Sequence, residues 1–174
     1  ITVRGLEISS ESIAALPGMT TNALTGAEIS GRASATVHLQ RAGPGQAIQW
    51  SANDIVLDHG RINHTMLAEP LTDLRFTAVA TPQRLTINRL DAKYGTATIA
   101  VAAERCGWSR GAPLGLAANI VGLHLDDRLP TQMPESMARI WRRFHPIGIV
   151  DAKLQLQFDG QQWRPQLTAN CRGI

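Results

Sequence analysis

The chain has 174 residues, 44% of them hydrophobic and 18% charged, which is enough apolar content for a core and too much for a disordered segment. Its net charge of +3 is mildly basic, but the arginines are scattered and aromatics make up only 5%, which argues against nucleic acid as a partner. No apolar run approaches the roughly 18–20 residues that a helical membrane span needs.

In chain order, Ile1-Thr2-Val3 opens in strand-like alternation and Gly5 to Ser9 continues it. Ser10 to Leu16 has a cap-like Ser/Glu start, and its helical pattern ends at Pro17-Gly18. Gly31, Ala35, Val37 and Leu39 share one face of the next strand, and Gly43-Pro44-Gly45 makes a hairpin loop. Ile48, Trp50 and Ala52 alternate, as do Ile55 and Leu57 beyond a break at Asn53-Asp54; His59-Gly60 is expected to turn the chain toward Arg61-Ile62-Asn63. Leu74, Phe76, Ala78 and Ala80 form a strand closed by Pro82. Leu85 and Ile87 follow, and Tyr94-Gly95 turns into a strand with Ala97, Ile99, Val101 and Ala103 on one face. Gly107 to Gly115 reads as a hairpin loop, and the alternation of Leu114, Leu116, Ala118 and Ile120 slips phase at Val121, Leu123 and Leu125, the mark of a bulge or strong bend.

Pro134 to Phe144 is a second helix candidate, with Met133, Met137, Ile140, Trp141 and Phe144 on one stripe and Arg139, Arg142 and Arg143 opposite. That stripe is expected to cap an apolar sheet face. Val150, Ala152, Leu154, Leu156 and Phe158 then alternate with polar residues, Asp159-Gly160 turns, and Trp163, Pro165, Leu167, Ala169 and Cys171 alternate again.

The last third repeats the first. Gly5-Leu6-Glu7-Ile8 returns as Gly122-Leu123-His124-Leu125, and Gly31, Ala35, Val37, Leu39 return as Gly148, Ala152, Leu154, Leu156, all displaced by 117 positions. The helical blocks between them, beginning Glu11-Ser12 and Glu135-Ser136, are displaced by 124. This is the pattern of a tandem array, with units 1–117 and 118–174, the second incomplete. Both ends read as strands cut mid-course, so residues 1–174 are expected to be a single internal fragment of a longer protein.

Chemistry-bearing constellations are missing. The five histidines show neither HExxH nor i, i+4 pairing, Ser9, Ser10 and Ser34 lack a nucleophile-elbow context, and Asp58-His59-Gly60 has the composition of a turn. His124 with Asp126-Asp127 has the look of a strand terminus rather than a metal site. Cys106 and Cys171 have no metal spacing and are expected to be small, buried or half-buried residues, or a pair if the protein is exported. No catalytic residue, metal or cofactor is assigned, and the chain is not expected to be an enzyme.

The fold expected is mainly β: a long antiparallel sheet with one apolar face and one or two short helices. Two short helices cannot shield so many strands, so either a second sheet packs against the first or the sheet curls around its own apolar face. Curling leaves an apolar groove, suited to acyl chains. Its candidate lining is Val37, Leu39, Leu85, Ile87, Ile99, Val101, Leu154, Leu156 and Phe158, although ordinary sheet core accounts for each of them singly. A sandwich would instead make the chain a structural or adhesion repeat module, acting as a spacer or scaffold.

One run of residues carries a family resemblance. Gly60-Arg61-Ile62, Pro70-Leu71-Thr72-Asp73-Leu74, Leu85-Thr86-Ile87-Asn88-Arg89-Leu90-Asp91-Ala92, Gly95 and Ala97-Thr98-Ile99 resemble the recurrent signature of AsmA-like and TamB-like proteins of the bacterial envelope. Leu129-Pro130, Trp141, Pro146, Gly148 and Val150-Asp151 are similar to the linker between their units. The resemblance implies a curved, taco-shaped sheet and a periplasmic setting, anchored to the inner membrane by a segment outside these residues. It implies phospholipid transport or support of outer-membrane assembly, with acyl chains and neighbouring repeats of the same chain as partners and membrane contact through regions outside the fragment. It carries no catalytic residues.

Overall fold

A computed structural model describes residues 1–11, 27–41, 43, 45, 48–64, 67–109, 111–125, 143 and 147–172. Nine strands form one antiparallel sheet in strict sequence order: β1 (Thr2–Ser9), β2 (Ala27–Gln40), β3 (Gln49–His64), β4 (Leu71–Ala80), β5 (Arg84–Tyr94), β6 (Ala97–Cys106), β7 (Leu114–Leu125), β8 (Gly148–Phe158) and β9 (Trp163–Arg172). The first and last strands do not meet, so the sheet is curved and open rather than closed into a barrel. There is essentially no helix among the described residues; the two expected helices, 10–16 and 134–144, lie outside them apart from Ser10, Glu11 and Arg143.

The hairpins at Tyr94-Gly95 and Asp159-Gly160 stand where the turn residues place them. Asp159 accepts from the Gln161 and Gln162 N–H groups at 3.0 and 2.9 Å, closing the last turn. His59-Gly60, in contrast, is not a turn. It lies inside the 16-residue strand β3, where the register against β4 shifts between Leu57 and Gly60. Asn53-Asp54 likewise interrupts β3 without ending it. Asp54, His59 and Asp73 have φ near 50°, the left-handed conformation that these residue types tolerate better than most. A bulge and a turn draw on the same residues, so the sequence signal is shared.

The bulges bend the strands. Ladders β2–β3, β3–β4 and β4–β5 carry two or three register shifts each, whereas β8–β9 carries none. The tightest apolar cluster sits in the bulged half: Leu57, Leu74 and Ala92 are 3–5% exposed, and Ile8, Ala33, Ile62, Leu71, Phe76 and Leu90 pack against them. Gly60 makes room for it. A Cβ there would meet the Leu57 and Leu74 side chains at 2.8 and 2.9 Å and the Leu74 carbonyl at 3.0 Å. At the other extreme, every residue of the edge strand β9 is exposed.

The sequence repeat is a repeat of hydrogen-bonding geometry. In β1–β2 the pairs Val3–Ala35, Leu6–Ala33, Glu7–Arg32 and Ile8–Gly31 flank a shift between Val3 and Leu6. Adding 117 to each number gives Ile120–Ala152, Leu123–Val150, His124–Ile149 and Leu125–Gly148, which are the pairs of β7–β8, with the same shift between Ile120 and Leu123. Gly5 and Gly122 occupy the two bulges with φ of 64° and 74°. The Gly5 N–H donates to Ser34 Oγ at 3.1 Å, and the Gly122 N–H donates to Asp151 Oδ1 at 2.9 Å, again 117 positions on.

At Asp151 the device is charged. The Gly122 N–H, joined by the Arg172 guanidinium, holds its carboxyl below the ordinary carboxylate range. A carboxyl whose folded pKa is lowered stabilises the fold above its unfolded pKa of about 3.9, and that contribution disappears as pH falls through the lower folded value. Asp151→Asn is therefore expected to flatten the stability curve below about pH 4, read by urea unfolding at successive pH values. An unchanged acid slope would show that the Asp151 carboxylate does not hold the bulge.

Candidate apolar groove

Residues directly opposite one another in an antiparallel ladder share a face, so pairings can be followed from strand to strand. One such line crosses the whole sheet: Leu6, Ala33, Leu57, Phe76, Leu90, Val101, Ala118, Leu154 and Leu167. At about 4.8 Å per strand it spans roughly 38 Å and contains no polar side chain. A second line runs Ile55, Ala78, Ile87, Ala103, Leu116, Leu156 and Pro165. A third, nearer the strand ends, runs Val37, Ala52, Ala80, Leu85, Arg105, Leu114, Phe158 and Trp163.

These lines place all nine sequence-derived candidates on one face. Val37, Leu85 and Phe158 stand in the third line, Ile87 and Leu156 in the second, and Val101 and Leu154 in the first. Ile99 is opposite Ala92 and Ile120, one further pair along. Leu39 lies beyond the third line opposite Trp50 and is 58% exposed; the other eight are half-buried. The sheet thus sets on one line residues as far apart in sequence as Val37, on β2, and Phe158, on β8. Among the described residues no second sheet lies over them, since all nine strands belong to one sheet.

The opposite face is a surface of paired charges: Arg84–Glu104 at 3.1 Å, Arg89–Asp91 at 2.5 Å and Lys93–Asp73 at 2.7 Å. The Lys93 ammonium keeps the Asp73 carboxyl below its ordinary range. Open depressions on this side are lined by residues such as Thr86, Glu104, Gln155 and Gln157, or Arg75, Asp91, Lys93 and Asn119.

No family model, curated protein or solved structure matches this chain.

Two features escaped the sequence reading, which placed Trp50, Phe158 and Trp163 only as strand residues. One is an aromatic lip at the end of the sheet that carries the β2–β3, β4–β5, β6–β7 and β8–β9 hairpins. Trp108, in the β6–β7 loop, donates from Nε1 to the Thr81 carbonyl at 2.9 Å and sits with its ring centroid 6.0 Å from that of Trp50. Phe158 and Trp163 stack 4.8 Å apart at the same end. No local pattern marks Trp108, because its partners lie on β3 and beyond β4. The other is Arg105, which continues the alternation of Ile99, Val101 and Ala103 past the point where hydrophobicity stops signalling it.

Cys106 and Cys171 are free and exposed, not buried or half-buried as expected. Both sit where cover is thin, Cys106 at the last residue of β6 and Cys171 on the edge strand. Among the described residues no group of histidines, cysteines and carboxylates has metal-binding geometry.

Proposed function

We propose that this chain is a section of a groove that carries phospholipid acyl chains along the apolar face of its open sheet. The single observation behind the reading is the unbroken apolar line from Leu6 to Leu167, nine strands wide. An edge-to-edge apolar surface with exposed members (Leu6 at 53%, Leu39 at 58%, Leu167 at 62%) exceeds what one small sheet needs for its own core. Each methylene buried on it is worth about 0.8 kcal/mol, so an acyl chain is a strong ligand without any directed polar contact.

The 117-residue repeat supports the same reading, because it reproduces the ladder and with it the apolar face of the strands. An array built this way extends the face unit by unit, with neighbouring repeats of the same chain as its lateral partners. A periplasmic setting, with the anchor in the inner membrane supplied by a segment other than this one, belongs to the proposal, as does a role in supplying the outer membrane. Lipid extraction followed by mass spectrometry of the full-length protein, purified in a mild detergent, tests it. Co-purified phospholipid at about one or more molecules per chain is expected; lipid-free protein that also fails to bind an added fluorescent acyl probe would overturn it.

A further inference from the structure

Arg105 is out of place. Among the described residues paired in the ladders, it is the one Asp, Glu, Lys or Arg on the apolar face, standing opposite Leu85 on one side and Leu114 on the other. Its neighbour Glu104 points to the other face, where it pairs with Arg84. Arg105 itself makes no ion pair among the described residues; its Nη2 donates to the Ser109 carbonyl at 2.7 Å. A guanidinium has five N–H donors in a planar fork, and one bond to a backbone oxygen leaves most of them unused. The same loop sends Trp108 across to Thr81 and Trp50, so Arg105 lies at the lip where the apolar face ends.

A half-buried guanidinium at the rim of an apolar surface, with donors to spare, offers a site that an anion can complete. The ligand that fits both features is an amphiphile, with a chain for the surface and an anion at its end. We propose that Arg105 is a headgroup anchor, binding the phosphate of a phospholipid whose acyl chain lies along the apolar rows. Arg suits this task because its fork matches two phosphate oxygens at once, which an ammonium does not. Trp108, in the loop that follows Arg105, and Trp50, on which its ring packs, are of the residue type that favours the boundary between apolar chain and polar headgroup. The inference rests on the acyl-groove reading, and the test separates the two.

Binding of hexadecyl phosphate and of hexadecanol to the full-length protein would be compared by displacement of a fluorescent acyl probe, with inorganic phosphate as a third competitor. The expected result is that wild type prefers hexadecyl phosphate by about tenfold, the factor of about 1.4 kcal/mol of charge-assisted bonding. Arg105→Gln should abolish that preference and leave hexadecanol unchanged, and Arg105→Lys should restore part of it. Equal affinity for the two chain ligands, unaltered by Arg105→Gln, would overturn the anchor while leaving the groove standing. Failure of both chain ligands to displace the probe would overturn the groove and the anchor with it. Displacement of hexadecyl phosphate by inorganic phosphate alone would assign Arg105 to free phosphate instead, and would also overturn the proposal. A circular dichroism spectrum identical to wild type confirms that each variant is folded.

Discussion

Leu74→Ala is expected to cost about 2–5 kcal/mol of folding stability, the range for emptying a buried leucine site. Leu74 is 3% exposed and belongs to the buried apolar cluster: it faces Gly60 across β3–β4 and clusters with Leu57 and Ala92. The site has little freedom to collapse, because the surrounding strands are held by ladders on both sides. With domain stabilities of about 5–15 kcal/mol, such a loss removes a large share of the total. Gly60→Ala attacks the same spot from the opposite direction by overfilling it, at about 1–3 kcal/mol. Leu167→Ala, on the edge strand and 62% exposed, is expected to change stability by about 0.5 kcal/mol or less. Urea unfolding of the three variants checks the order. Equal midpoints for Leu74→Ala and Leu167→Ala would show that the bulged half of the sheet is not the stabilising half.

Val101→Asp should separate folding from function. Val101 is half-buried in the middle of the line that crosses all nine strands, between Leu90 and Ala118. A carboxylate there costs about 1–3 kcal/mol in stability, since it is only partly removed from water. For an acyl chain the consequence is larger. The chain loses contact with about two methylenes, some 1.6 kcal/mol, and must also lie against a charge, so affinity for a fluorescent acyl probe is expected to fall more than tenfold. Leu156→Asp, in the second line, should behave in the same way and block lipid passage in cells. Ala102→Asp is the control: it is the next residue in β6, is exposed on the polar face, and should leave probe affinity and transport at wild-type values. If Val101→Asp and Leu156→Asp fold, bind and transport like Ala102→Asp, the apolar face is sheet core and nothing more.

Much of the architecture was legible because a single period carries it. In β6 the alternation of Ala97, Ile99, Val101 and Ala103 in sequence is the alternation of covered and exposed residues in the sheet. The phase slip after Ile120 is a bulge with Gly122 at its left-handed position, and the 117-residue repeat is matched pair by pair in two ladders. What was misread has a common cause. His59-Gly60 and Asp159-Gly160 look alike locally, yet the first stays inside a strand and the second ends one. The choice is made by whether the next segment pairs with the strand before or the strand after, and that is not local information. Trp108 and Arg105 were missed for a related reason: their significance is their position on the sheet's lip, which exists only once five strands are aligned. The cysteines were misjudged from the general tendency of that residue to be buried, which neither the end of β6 nor the edge strand β9 respects.

The most direct test of the groove is face-specific photo-crosslinking in cells. A photoreactive amino acid would be placed in the full-length protein at Val101 or Leu154 on the apolar face, and at Ala102 or Gln155, the next residue in each strand, on the other. Neighbouring positions share backbone, depth along the strand and expression level, and differ in the face they present. Phospholipid adducts, identified by mass spectrometry, are expected at 101 and 154 and absent at 102 and 155. Adducts at none of the four, or equally at all of them, would contradict a lipid-bearing apolar face.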